Sequence, residues 1–370
     1  MLAQVSIKIA SPYIDKKDKK AVIDVLESGY LSLGPKHLEF EKKIAKYCRS
    51  KYASSVSNGT VGLHLAVKSL GLKEGDEVIT TPFSFVSSSN CLLFERVKPV
   101  FVDIEETTYN IDPEKIVKAI TKRTKAILVV HIFGQSADMT PILEIAKKKK
   151  LKIIEDACES LGAKYRNKMT GTFGEIGVFA FYPNKQMTTG EGGIVVTNNK
   201  KIDLMIKSLK NQGRNLKNDW LIHERLGYNY RMDEMSAALG ITQLEKLDWM
   251  INERKKIINL YNRYLSENKK LIIPQIGKDR THTWFVYVVR VLNNRRNFLM
   301  KKLAEKGIQT KPYLPVIHLQ PFMKKEFNFK KGDFPIAEKI SSETLALPLY
   351  IGLKEKQVKY ICMEIEKILK

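Results

Sequence analysis

Short apolar runs alternate with amphipathic stretches along the first part of the chain. The strand-like runs cover residues 77–80, 100–104, 126–133, 151–155, 177–181 and 193–197, and helical patterns such as 113–120 and 141–149 lie between them. Strands that alternate with helices in this way form a mostly parallel sheet covered on both faces. The pattern therefore predicts an α/β fold for this part.

A longer helical pattern covers residues 235–264, and we interpret it as the bridge to a second, smaller unit. That unit contains a strand-like run at 283–290, a helical pattern at 295–306 and a final helix that begins at Lys354. We predict a large domain of residues 1–250 and a small C-terminal α/β domain of residues 251–370.

Composition agrees with a protein that buries a sizeable core. The chain has 370 residues, of which 44% are hydrophobic and 28% charged. No apolar run approaches the roughly 20 residues that span a bilayer, and the opening Met-Leu-Ala-Gln-Val lacks the features of a secretory signal. We expect a cytoplasmic protein without a membrane partner. The four cysteines lack metal-type spacing, so we expect no metal.

The formal net charge of +23 raises the question of nucleic-acid binding. Recognition of a nucleic-acid backbone requires a basic face interleaved with aromatic residues. In this chain the lysines are scattered over the whole length, so we expect no nucleic-acid partner. A positive potential would still attract an anionic small molecule.

The segment 177–193 carries the strongest chemical signal. A short apolar and aromatic run is followed by Lys185 and then by Thr-Thr-Gly-Glu-Gly-Gly. Partial desolvation favours the neutral, nucleophilic form of an amine, which can form an imine with an aldehyde cofactor. Most lysines of this chain are better explained as solvated surface residues. Lys185 differs because Pro183, Gly190 and Gly192 surround it instead of charged residues, and it points to pyridoxal 5′-phosphate.

Two further segments support this cofactor. The run 151–157 ends in Glu155 and Asp156, and ligands bind at the carboxyl ends of strands in such sheets. Pyridoxal phosphate needs a carboxylate at its ring nitrogen, although a strand-end Asp can also cap a helix. The segment 57–71 predicts a capped helix whose first N–H groups, left open by Gly59, suit a phosphate.

Eight motifs then carry a resemblance to a known family. They are Ser-Asn-Gly-Thr, Gly-Asp-Glu-Val-Ile, Pro-Val-Phe-Val-Asp-Ile, Thr-Lys-Ala-Ile-Leu-Val-Val-His, Ile-Glu-Asp-Ala, Phe-Tyr-Pro-Asn-Lys, Thr-Gly-Glu-Gly-Gly and Gly-Tyr-Asn-Tyr-Arg-Met. Their order is that of the DegT/DnrJ-type sugar aminotransferases, which the chain resembles from about residue 5 to its C-terminus. The resemblance implies an aspartate aminotransferase-like transferase of fold type I, with a mostly parallel seven-stranded sheet.

The resemblance also implies roles for single residues. These are Lys185 as the Schiff-base lysine, Asp156 at the ring nitrogen, Gly59 and Thr60 at the phosphate, and Phe85 stacked on the ring. Asn229 matches an asparagine that reaches the phosphate of the neighbouring subunit, which implies a homodimer with shared active sites. Two positions depart from the common pattern, since Ala180 replaces a frequent Ser at the phosphate and Glu159 replaces a frequent Gln or His at the ring.

The implied activity is transfer of an amino group from glutamate to a keto group of a nucleotide-linked sugar, for polysaccharide or related amino-sugar biosynthesis. Substrate contacts are expected from Tyr313 and His318 in a Pro-rich loop and from Arg231. A sugar dehydratase or a noncatalytic regulator on the same fold are the alternatives. Relatives that dehydrate sugars carry His at the lysine position, so Lys185 favours transamination. The nucleotide, the sugar, the aminated ring carbon and the identity of the amino donor stay open.

Overall fold

The computed structural model describes residues 7–215 and 221–370, so the opening Met-Leu-Ala-Gln-Val lies outside the described residues. The strands are β1 (Tyr52–Val56), β2 (Glu77–Thr80), β3 (Lys98–Phe101), β4 (Thr124–Val130), β5 (Lys152–Asp156), β6 (Lys164–Tyr165), β7 (Lys168–Met169), β8 (Ile176–Ala180), β9 (Gly193–Thr197), β10 (Leu271–Ile272), β11 (Tyr287–Val291), β12 (Lys311–Pro312) and β13 (Thr344–Leu347). The α-helices are α1 (Lys16–Ser28), α2 (Pro35–Cys48), α3 (Gly59–Ser69), α4 (Ser87–Leu93), α5 (Pro113–Ala119), α6 (Met139–Lys149), α7 (Lys200–Leu209), α8 (Glu234–Glu245), α9 (Leu247–Leu265), α10 (Arg296–Glu305), α11 (Pro321–Phe327), α12 (Pro335–Glu343) and α13 (Glu355–Leu369).

Seven strands form the large sheet in the order β1-β9-β8-β5-β4-β2-β3. The neighbours from β8 to β3 pair in parallel, whereas β9 runs antiparallel to both β1 and β8. The mostly parallel, seven-stranded sheet that the resemblance implies is therefore confirmed.

Both faces of this sheet are buried, which explains the continuous apolar runs of its strands. Successive residues of β8 point to opposite faces, so Val178 packs into one core cluster and Phe179 into another. The cluster around Val178 includes residues of α3, and the cluster around Phe179 includes Phe40 of α2.

Strand β1 was missed because it is half polar. Its buried Ser54 and Ser55 donate hydroxyl hydrogen bonds to Asp203 and Glu41, at 3.1 and 2.9 Å. Side-chain partners supplied by neighbouring helices thus replace the apolar contacts that a sequence pattern detects.

The long helical pattern at 235–264 is two helices, α8 and α9, and the prediction of a continuous helix is wrong at Lys246. This residue leaves helical geometry with φ −110° and ψ 6°. Its ammonium group bonds Asp15 and Asp18 at 2.5 and 2.8 Å, and these contacts hold the break against α1. The expected domain boundary at residue 250 falls inside α9, and the division stays a prediction.

A second, antiparallel sheet has the order β10-β11-β13-β12. It packs with α9, α10 and α13 around a core in which Tyr261 and Tyr287 stack at 4.7 Å. The expected strand at 283–290 begins only at Tyr287, and Thr283 instead donates its N–H to Gly134, in the segment that follows β4. Of the helices in residues 7–215 and 221–370, none is both long and apolar enough to cross a membrane.

Candidate active site

A cavity of about 760 Å³ opens where the parallel strands of the large sheet end. Asp156 and Ala180 are the last residues of β5 and β8, and both line it. This is the edge at which ligands bind in open α/β sheets. Eight of the predicted site residues line the cavity, namely Gly59, Thr60, Phe85, Asp156, Glu159, Ala180, Lys185 and Tyr313.

Lys185 lies in a turn that follows β8, where its backbone N–H donates to the carbonyl of Tyr182 at 2.9 Å. Its side chain is 14% exposed, and Nζ lies 3.4 Å from Glu159 Oε1. Nζ also lies 4.0 Å from the centre of the Phe285 ring. A carboxylate on one side and an aromatic face on the other direct the amine into the cavity.

Glu159 is a buried carboxyl group. Burial raises the pKa of Glu159, and the nearby Lys185 charge opposes that rise. Glu159 Oε2 accepts a hydrogen bond from the Phe133 N–H at 2.9 Å. Glu159 replaces a frequent Gln or His at the cofactor ring, and in the structure its Oε1 faces Lys185.

Asp156 is held by hydrogen-bond donors at the end of β5. Its Oδ2 accepts from the Ser88 hydroxyl at 2.6 Å, and its Oδ1 accepts from the Cys158 N–H at 3.2 Å. Ser84 contacts Ser88 hydroxyl to hydroxyl at 2.7 Å. Asp156 caps no helix here, and its carboxylate faces the cavity with a fixed orientation.

The preceding residue, Glu155, points to the other face of the strand and is fully buried. Its carboxylate accepts N–H groups from Gly171, Phe173 and Gly174 at 2.6 to 2.7 Å. The ring Nε2 of His131 lies 2.9 Å from it. Glu155 thus anchors the loop before β8, while Asp156 serves the cavity.

The N-terminus of α3 forms one wall of the cavity. Asn58 caps this helix by accepting the Val61 N–H at 3.0 Å, and the first N–H groups of a helix have no intrahelical partner. A Cβ at Gly59 would lie 2.7 Å from Ala180 Cβ and 3.1 Å from Cys158 Sγ. Only glycine leaves this wall open. The hydroxyls of Thr60 and Ser87 meet at 2.7 Å beside it.

These features fit pyridoxal phosphate. The open helix terminus and the two hydroxyls suit a phosphate, because N–H groups and the positive end of the helix dipole favour anions. Asp156 suits a protonated ring nitrogen, and the Lys185 amine suits an aldehyde.

Burial raises the pKa of the Cys158 thiol, so Cys158 remains a neutral wall residue. The residues described here contain no group of three or more His, Cys, Asp or Glu side chains that could hold a metal ion.

Aromatic side chains form the rim, and one of them is anchored by a buried His64–Glu95 pair. His64 Nδ1 lies 3.2 Å from the Tyr230 hydroxyl and Nε2 lies 2.8 Å from Glu95. Tyr228 stacks on Tyr230 at 4.8 Å and donates to Glu95 at 3.2 Å. Burial lowers the pKa of His64, although Glu95 acts in the opposite direction.

Three predicted site residues do not line the cavity. Asn229 lies between Tyr228 and Tyr230 in the sequence, and its side chain is exposed. Arg231 donates to Asn211 Oδ1 at 2.9 Å. His318 is fully buried, with Nε2 at 3.0 Å from Glu338. Phe85 does line the cavity, but 61% of it is exposed, which places it at the mouth.

The sequence missed several cavity residues, among them Ser87, Asn184, Tyr230 and Phe285. Phe285 was included in a strand because its neighbours are aromatic and β-branched. The Ser87-Ser88-Ser89 run was a usable signal, since three hydroxyls in a row next to a predicted strand suit a polar ligand site.

Comparison with known proteins agrees with this geometry. The model of the DegT/DnrJ/EryC1/StrS aminotransferase family matches residues 12–366. The GDP-perosamine synthase of Escherichia coli O157:H7 is 37% identical over 363 residues, covering 98% of each chain. The dTDP-3-amino-3,6-dideoxy-alpha-D-galactopyranose transaminase of Aneurinibacillus thermoaerophilus is 36% identical over 348 residues, covering 94% of this chain and 93% of that one. The structure of Helicobacter pylori PseC, an aminotransferase of pseudoaminic acid biosynthesis, matches with a TM-score of 0.94 at 29% identity, over 98% and 99% of the two chains.

Proposed function

Because the chain belongs to the DegT/DnrJ/EryC1/StrS aminotransferase family, we propose that it transfers an amino group from glutamate to a keto group of a nucleotide-linked sugar. It is a sugar aminotransferase of polysaccharide or related amino-sugar biosynthesis, as its relatives indicate. The observation that carries the finer assignment is the Lys185 amine in a cavity that also holds Asp156 and an open helix terminus. The cytoplasmic location expected from the sequence is also part of this proposal.

Proteins of this family depend on pyridoxal phosphate, and we propose specific residues to hold it here. Gly59 and Thr60 would bind the phosphate, Asp156 the ring nitrogen, and Lys185 the aldehyde carbon. Phe85, Glu159 and Ala180 would border the ring and the phosphate. When bound, the cofactor supplies an electron-accepting ring that makes the C–H bond next to the transferred amino group acidic.

The side chains of the site would then control protons. The Asp156 carboxylate, whose orientation Ser88 fixes, would keep a proton on the ring nitrogen. The Nζ of Lys185, as a free amine, would take the proton from the C–H bond next to the amino group of the donor, and its ammonium form would deliver that proton to the aldehyde carbon of the cofactor. Glu159 Oε1, at 3.4 Å from Nζ, can exchange a proton with that amine.

Tyr313 supports a substrate role through its position. It lines the cavity, and the Asn184 amide donates to its hydroxyl at 3.3 Å. Burial raises the pKa of the Tyr313 hydroxyl, so it stays a neutral donor for a sugar oxygen. His318 and Arg231 remain predictions, since their side chains face Glu338 and Asn211.

We also propose that the active unit is a homodimer with shared sites. Alternate residues of an extended segment point to opposite sides, so Asn229 faces away from Tyr228 and Tyr230 toward the surface. Leu226, close to it in the chain, is 80% exposed. An exposed polar tip beside apolar side chains suits a subunit interface.

The test is turnover with defined substrates. Purified protein loaded with pyridoxal phosphate should release oxoglutarate from glutamate. Amino sugars linked to GDP or to dTDP should change the absorption spectrum of the bound cofactor. A screen of both nucleotide series would identify the substrate class. A protein that binds the cofactor but releases no oxoglutarate would be a regulator, and one that acts only with the pyridoxamine form would be a dehydratase.

A further inference from the structure

Arg254, on α9, is a buried cation that forms no ion pair with any acidic side chain in the described part of the chain. It is 5% exposed, and burial lowers its pKa to about 10. Its Nε atom has no hydrogen-bond partner among the described residues. Arginines this deeply buried are normally paired with carboxylates. The location of Arg254 therefore needs a specific reason.

The partners of Arg254 are two consecutive backbone carbonyls in the turn that carries Lys185. Nη1 donates to the Gln186 carbonyl at 2.8 Å, and Nη2 donates to the Lys185 carbonyl at 2.9 Å. No described backbone N–H donates to either carbonyl. A guanidinium is planar and rigid, so its two donors hold two peptide groups in fixed directions, whereas a lysine ammonium is a point charge on a flexible stem.

Further contacts connect these two hydrogen bonds of Arg254 to the Lys185 amine itself. The Gln186 side chain donates to the Glu159 carbonyl and to Thr283 Oγ1, the latter at 2.9 Å. The Glu159 side chain in turn contacts Lys185 Nζ at 3.4 Å. The backbone of Lys185 and its terminal nitrogen are thus held by one closed set of contacts. Arg254 fixes the backbone end of this set.

We propose that Arg254 is a positioning residue that holds the Lys185 turn so that the amine meets the aldehyde of the cofactor. This inference rests on the proposed function. Arg254 belongs to α9, which begins in the core cluster of the large sheet with Leu247 and Met250 and continues into that of the second sheet with Tyr261. The position of the amine is therefore tied to the element that joins the two parts of the molecule.

The test separates bound cofactor from cofactor attached to Lys185. Wild-type protein, Arg254→Lys and Arg254→Met are loaded with pyridoxal phosphate and reduced with borohydride, and the Lys185 peptide is quantified by mass spectrometry. Total bound cofactor is measured after denaturation. We expect Arg254→Met to bind nearly as much cofactor as wild type, but to show about a tenfold lower fraction attached to Lys185, since small displacements of reacting groups are costly. Arg254→Lys should fall between them.

The matched control is Arg296→Met. Arg296 also donates to backbone carbonyls, those of Thr344 and Ser341 at 2.9 and 3.4 Å, but they lie in the second sheet region. This variant should keep wild-type attachment. In protein prepared without cofactor, amide exchange at residues 182–189 should quicken in Arg254→Met and not in Arg296→Met.

The possible outcomes are distinct. Wild-type attachment in Arg254→Met overturns the inference, as does a parallel loss of binding, attachment and melting temperature, which marks a purely structural role. If Arg254→Met does not fold, Arg254→Lys decides, because unchanged attachment in that variant also overturns it. In Arg254→Ala, methylguanidinium should restore attachment and methylurea should not. Lack of attachment to Lys185 in wild-type protein rejects the proposed function and, with it, this inference.

Discussion

At the scale of single residues, two of the carboxyl groups that line the cavity with Lys185, those of Asp156 and Glu159, have different surroundings. Asp156 accepts hydrogen bonds from Ser88 and Cys158, which suit a carboxylate. Burial raises the pKa of Glu159, which lies beside Lys185. Differences in environment are how proteins give similar side chains separate acid and base roles. The sequence identifies these residues, and their surroundings assign them different tasks.

Replacing Lys185 by Ala should abolish turnover. In the described part of the chain Lys185 is the one lysine that lines the cavity, so no other amine can take its place. Oxoglutarate release from glutamate should fall by several orders of magnitude, with a nearly unchanged melting temperature. Exposed Lys200→Ala is the control and should keep full activity. Full transamination by Lys185→Ala would refute the assignment.

Replacing Asp156 by Asn should lower transamination by orders of magnitude with little change in fold. Asn keeps an oxygen for the Ser88 hydroxyl, but it lacks the charge that keeps a proton on the ring nitrogen. The rate with glutamate and the circular dichroism spectrum together measure this. Ser88→Ala should cost less, because the charge stays. Wild-type activity in Asp156→Asn would remove this residue from the site.

Replacing Gly59 by Ala should weaken cofactor binding about tenfold or more, because the new methyl group would collide with Ala180 and block the helix terminus. Equilibrium dialysis of the cofactor measures the effect. Adding Ala180→Gly removes the closest collision and should restore part of the affinity. Unchanged binding by Gly59→Ala would show that the phosphate lies elsewhere.

At the scale of elements, the sequence predicted what depends on local pattern. Strands such as β2 and β9 were predicted because both of their faces are apolar. The sequence did not predict the polar strand β1 or the break at Lys246. Glu41, on another element, stabilises the strand. Asp15 and Asp18, far from Lys246 in the sequence, stabilise the break. The same limit applies to the site. Lys185 and Gly59 lie in recognisable motifs, whereas Phe285 reaches the cavity through the packing of the second sheet.

The His64–Glu95 pair predicts a pH dependence of stability. Burial lowers the pKa of His64 below the ordinary value near 6.5, so the unfolded chain binds more protons there as pH falls below that value. The free energy of unfolding of the wild type should therefore decrease from pH 7 to pH 5. In His64→Gln this decrease should be smaller, because glutamine does not titrate.

Urea unfolding at several pH values and constant ionic strength measures this slope. The neighbours Lys68, Tyr228 and Tyr230 stay in both proteins, and Glu95 titrates below this window because its pKa is lowered. The difference between the two curves thus isolates His64. Parallel curves for wild type and His64→Gln would contradict the prediction.

At the scale of the whole molecule, the cavity depends on parts that are far apart in the chain. The Thr283 N–H donates to the Gly134 carbonyl at 2.9 Å, which joins the segment before β11 to the segment that follows β4. Phe285 and Tyr313 line the cavity together with Lys185. The exposure of Asn229 supports our proposal that a second subunit completes the site.

Mixing two inactive variants tests that proposal. Lys185→Ala and Asn229→Ala subunits should each have low activity alone. In a hybrid dimer one site would combine the intact lysine of one subunit with the intact asparagine of the other. After random exchange in an equal mixture about a quarter of wild-type activity should return, because half of the dimers are hybrids with one working site. No recovery despite proven exchange, or a fully active monomer, would reject shared sites.

The opposite orientations of Glu155 and Asp156 have a consequence for how the chain tolerates change in length. Two similar acids are adjacent in the chain. Because side chains alternate along β5, Glu155 points to the loop before β8 and Asp156 points to the cavity. Inserting or deleting one residue in β5 would shift the register and exchange the two faces. Ile153 and Ile154 can each accept another aliphatic side chain of similar volume, but the number of residues in β5 is fixed by the chemistry at its end.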